Sequence, residues 1–146
     1  SGTILDTLGQ ALVDAATTPL DTVRAVFSWS DRLVSKRPRR GVAVSSSAEV
    51  LQQRFGDVID KAVVADAGLR SLGIASRVVT GVVWSLGRWW PHAWLEIGTG
   101  AEAFWVDPVL SEPTHLSPRV RLFYDADSWP TLRTVAKSLV ITPEQP

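Results

Sequence analysis

The chain contains no cysteine and no methionine, and sets a single tyrosine beside seven tryptophans in 146 residues. Without cysteine there is no disulfide framework, no zinc–thiolate site and no thiol chemistry. That absence fits either redox compartment. A surplus of charge is also missing, because 15 Lys and Arg balance 15 Asp and Glu. A nucleic acid is therefore not expected as the main partner, since phosphate binding draws on a basic excess. No apolar run approaches the roughly 20 residues of a membrane span. With two histidines and no thiol, neither a metal site nor a cofactor is expected. Ser1-Gly2 leads straight into a patterned segment. With no Met to start it, the chain reads as a fragment of a longer protein, carrying one domain over residues 3–142.

What is present is 45% hydrophobic, enough for a real core. Ile4 to Ala16 places its apolar residues on one helical face, capped by Thr3. A second helix follows in "TTPLDTVRAVFSWSDRLVS", with Pro19 near its start. "KRPRRG" is a basic loop, and Lys36, Arg37, Arg39 and Arg40 read as solvated, with an acidic partner as the alternative. Ser46 and Glu49 have capping-box spacing, which predicts a short helix to about Arg54 with Gly56 at its C-terminal cap. Asp57 then caps a new helix whose first residue is Val58. Its small and apolar residues, from Ala62 to Leu69, predict burial on most sides, and Gly73 closes it.

The second half changes period. "SRVVTGVVW" is β-branched and predicts a strand, and "SLGRWWP" a turn. "HAWLEI" and "EAFWVD" make a hairpin about "GTG", stopped by Pro108. "RVRLFY" predicts another strand, Trp129 opens a Pro-led segment, and "SLVI" predicts a last short strand. Helices first and antiparallel strands after make an α+β fold, with N-terminal helices packed on an antiparallel sheet.

Three positions point to chemistry. Val58 begins a helix, His92 opens a strand, and Asp107 ends the next strand of the same hairpin. A carboxylate that orients an imidazole, facing a helix N-terminus, is how a nucleophilic enzyme activates a thiol. The nucleophile itself is absent. Trp84, Trp89, Trp90 and Trp94 crowd the same strands; they suit packing, and Trp89-Trp90, just before His92, also suits a binding groove. His115 follows Pro113 in a loop and is assigned no role.

The stretches "RFGDVIDKAVVADAGLRSLGIASRVVTGVVW", "PHAWLEI" and "FWVDPVL" resemble the bacterial transglutaminase-like superfamily, whose members share a papain-like fold. "LDTVRAVFSWSDRLV" resembles the helix that family carries upstream. The resemblance implies that His92 and Asp107 match a catalytic His and Asp, and that Val58 stands where the family has its nucleophilic Cys. Members cleave or transfer acyl groups at amides. It also leans toward an exported bacterial protein. Three readings follow. The first is a pseudoenzyme that binds a protein or peptide segment, with Trp84, Trp89 and Trp90 at the ligand. The second is a cysteine protease, amidase or acyltransferase whose nucleophile has been substituted. The third is a structural domain of a larger protein. Enzymatic activity in the chain as it stands is not expected.

Overall fold

The computed structural model describes residues 18–36, 46–108 and 118–139. The helix expected over Ile4–Ala16, most of the basic loop, and His115 lie outside the described residues. Helix α1 (Pro19–Leu33) is capped by Thr18, whose hydroxyl accepts from the Asp21 N–H at 3.2 Å. Val23, Val26, Phe27 and Ser30 recur at helical spacing and are buried. Strand β1 (Ser35–Lys36) follows. Helix α2 (Ser47–Gln53) has the expected capping box: Ser46 N–H donates to Glu49 Oε2 at 2.7 Å, and Glu49 N–H to Ser46 Oγ at 3.3 Å.

The cap at the other end differs from expectation. Arg54, with φ of 65°, takes the left-handed position expected of Gly56. Gly56 lies instead in strand β2 (Phe55–Gly56), paired parallel with β1. Its lack of a side chain serves the next helix, since a Cβ there would lie 2.4 Å from Asp60 Cβ. Asp60 occupies that space because it folds back to accept from the Asp57 N–H at 3.0 Å, while Asp57 caps the Asp60 N–H at 3.4 Å. The Gly-Asp pair at 56–57 is thus the requirement of one capping box.

Helix α3 (Val58–Ser71) is buried on most sides, as its composition predicts: Ile59, Ala62, Val64, Ala65 and Leu69 are all in the core. It lies against α1 and α2 on one side and the sheet on the other. The Lys61 ammonium donates to Asp31 of α1, satisfying a mostly buried cation. The sheet consists of β3 (Ser76–Ser85), β4 (Arg88–Ile97), β5 (Phe104–Val106) and β6 (Arg119–Phe123), in the order β5-β4-β3-β6, with every pairing antiparallel. Helix α4 (Trp129–Ser138) follows and packs on β3 and β4. The Pro-led segment, to which the sequence assigns no element, is this helix; Ser138 ends it rather than opening a strand, and Val140 and Ile141 of the strand expected at "SLVI" lie outside the described residues.

The turn expected over "SLGRWWP" is mostly strand. Only Leu86 and Gly87 connect β3 to β4, with φ of 52° and 77°, the paired positive values of a type I′ turn. Leucine is a poor residue for that conformation, and Leu86 is 92% exposed, so no packing offsets the strain. Leu86→Asn is expected to raise unfolding stability by about 1 kcal/mol, read as a shift in denaturant midpoint at constant slope. A destabilised variant would show that the leucine is held by contacts.

Candidate functional site

Pairing register decides which side chains share a face. Gly81 lies opposite His92, Val79 opposite Trp94 and Val83 opposite Trp90. Because successive residues alternate, these six share one side of the sheet. Val78, Val82, Ala93 and Leu95 share the other, where they join the core cluster containing the buried residues of α3. Asp107 follows β5, whose Val106 pairs with Leu95, and so falls beside Trp94 on the His92 side.

There His92 and Asp107 meet. His92 Nε2 lies 2.6 Å from Asp107 Oδ2, with the two residues 6% and 0% exposed. A carboxylate only accepts, so Nε2 carries the hydrogen and donates. The nitrogen left open to other partners is Nδ1. The ring of His92 is stacked on that of Trp94, with centroids 6.3 Å apart and planes inclined by 29°.

A third polar residue, which the sequence analysis did not single out, completes this group. Arg119 Nη1 donates to the same Asp107 Oδ2 at 3.3 Å, and its guanidinium lies 4.2 Å from the Trp105 ring and 5.1 Å from that of Trp94. Arg119 belongs to β6 and Asp107 follows β5, at opposite edges of the sheet. Three strand spacings are about 14 Å, further than an arginine side chain extends, so the sheet must curl with this face concave. Gly81 sits where β3 and β6 shift register, and its bare backbone lets both β6 and Trp94 come close. A Cβ there would lie 2.1 Å from the Val120 carbonyl oxygen and 2.7 Å from the tip of Trp94. The only hint in the sequence is an Arg in an alternating strand soon after the Asp.

The remaining expected residues are placed differently. Val58 stands in the first turn of α3, half-buried against the core cluster. Trp89 and Trp90, taken together in the sequence, point to opposite sides of β4. Trp89 is buried and meets Trp84 edge-on at 5.4 Å. Both line a cavity of about 470 Å³ completed by Gly87, Arg88 and the end of α4 at Ala136, Lys137 and Leu139. Trp90 stays on the His92 side, exposed, with its Nε1–H donating to Ser85 O at 2.8 Å and the Arg88 guanidinium 3.8 Å above the ring. The three tryptophans therefore do not form one surface.

The model of the transglutaminase-like superfamily matches residues 6–108, well over half of the sequence. The chain belongs to the transglutaminase-like superfamily. Its structure is similar to a crystal structure from Cytophaga hutchinsonii described as a "putative cysteine protease", with a TM-score of 0.66 and 21% sequence identity. The match covers 90% of this chain and 43% of that one, so this chain spans less than half of its length. That likeness shows the fold, a helical and antiparallel α+β arrangement as expected. Among curated proteins no match is found. No described helix is long and apolar enough to cross a membrane.

Proposed function

We propose that this transglutaminase-like domain binds a peptide or protein segment and does not carry out acyl transfer. One observation carries the reading. The sequence holds no cysteine and has Val58 at the position that resembles the family's nucleophile, while His92 and Asp107 keep a buried hydrogen bond of 2.6 Å. A His–Asp pair can accept and return a proton, but without a nucleophile it forms no acyl-enzyme. What such a site retains is shape and polarity: an aromatic wall, an open imidazole nitrogen and a buried cation.

Trp90 is the contact residue best suited to a partner. Its indole is held in place by Ser85 and Arg88, so little rotamer freedom is lost on binding. Trp90→Ala is expected to weaken a peptide selected from a displayed library by about 2 kcal/mol, about 30-fold in Kd. The fold should be unaffected, because the ring is on the surface. Unchanged affinity would remove this face from the binding site. Trp89→Ala serves as the contrast: it empties a core position and should lower stability by about 3–5 kcal/mol.

The reading in which a substituted nucleophile has silenced an active cysteine enzyme is supported by the same intact His92–Asp107 contact. The two readings part on whether a thiol at position 58 becomes reactive.

A further inference from the structure

Arg119 is held on one side only. Its Nη1 donates to Asp107, yet Nε and Nη2 are buried and have no hydrogen-bond partner among the described residues. These two atoms are not an arbitrary pair. Nε–H and one Nη2–H point in parallel from the same edge of the guanidinium, and form the side-on fork with which arginine grips two oxygens of a planar anion. The side chain is 10% exposed. Buried donors left unmade carry a full desolvation cost, so a free edge in a folded protein asks for an explanation. The face of the guanidinium is covered by the Trp105 and Trp94 rings, which leaves the edge as the part still able to bind.

We infer that the empty Nε/Nη2 edge of Arg119 is a subsite for a carboxylate, so that the segment bound beside His92 presents a carboxyl group, as a free peptide C-terminus does. The inference rests on the peptide-binding reading and deepens it. Asp107 holds the guanidinium by Nη1 and fixes the direction of the edge. Trp105, half-buried over the guanidinium, reports on any ligand that reaches this edge. Carboxylate is favoured over a tetrahedral anion because the fork's two hydrogens match two coplanar oxygens.

The test uses the whole chain with acetate, N-acetyl-dialanine and its C-terminal amide as probes, followed by NMR of the indole N–H signals of Trp94 and Trp105. Both acids are expected to shift these signals saturably, with half-saturation on the order of millimolar for so small a contact, and the amide to leave them in place. Arg119→Lys keeps a cation for Asp107 but has no fork, and should weaken the acids at least tenfold; Arg119→Gln, where it folds, should abolish the shifts. Equal shifts from acid and amide would overturn the carboxylate subsite while leaving the peptide-binding reading intact, provided Trp90→Ala still weakens a selected peptide. Sulfate binding as well as acetate would overturn the assignment to carboxylate. No shift from any probe, or full affinity in Arg119→Lys, would overturn the inference outright.

Discussion

An amide-directed acylating probe is expected to leave every side chain of this protein unmodified, and amide cleavage or transfer to remain at the level of buffer. Losing the nucleophile from a catalytic triad costs on the order of 10⁶ in rate even when the other members stay in place. Among the described residues, several hydroxyls are already committed to other partners. Ser30, Ser71 and Ser76 donate to Phe27 O, Gly68 O and Asp66, and Ser46 and Ser128 are tied to Glu49 and Asp125. The His92 imidazole is itself hydrogen-bonded to Asp107. Val58→Cys carries the experiment further. A thiol at the N-terminal turn of α3 that shares a site with the His92 imidazole should titrate well below the free value of about 8.5. Its alkylation rate against pH should move toward the free-thiol curve when His92→Ala is added. If the introduced thiol titrates like free cysteine and ignores His92, position 58 does not share a site with the His–Asp pair. A modified serine or aspartate in the unaltered chain would overturn the inactive reading.

How far the sequence carried depends on whether a contact is local. The capping box at Asp57 and Asp60 spans three residues and was readable, as was the buried character of α3. The meeting of His92 and Asp107 was readable too, because β4 and β5 are joined by a short turn and must be neighbours. The split of Trp89 from Trp90 was missed for a definable reason. Leu86-Gly87 lacks the Asn-Gly or Asp-Gly signal of a type I′ turn, so nothing local marks the hairpin as tight or places the two tryptophans on an alternating strand. Arg119 was out of reach. Its approach to Asp107 depends on β6 pairing with β3 rather than β5, on a curled sheet, and on the missing Cβ of Gly81. None of these is a property of any window of sequence around Arg119.

Asp107→Ala is expected to lower unfolding stability by about 3–5 kcal/mol, about 10 °C in Tm for a domain of this size. Asp107 is fully buried and its Oδ2 receives both His92 Nε2 at 2.6 Å and Arg119 Nη1 at 3.3 Å. Removing the carboxylate strands a guanidinium whose other two nitrogens already lack partners among the described residues, and leaves the buried imidazole unanchored. Replacing the guanidinium as well should recover much of the loss, because a buried ion pair replaced by apolar groups of similar volume is often neutral or stabilising, whereas breaking one side is costly. Asp107→Leu with Arg119→Met is therefore expected to be more stable than Asp107→Ala alone. Asp107→Asn, which keeps an acceptor oxygen and the shape, should fall between Asp107→Ala and the unaltered chain. Denaturant midpoints of the four proteins decide the matter. A loss below about 1 kcal/mol in Asp107→Ala would place the pair in the range of solvated surface salt bridges, and a double variant no better than the single would show that Arg119 is not strained by losing its partner.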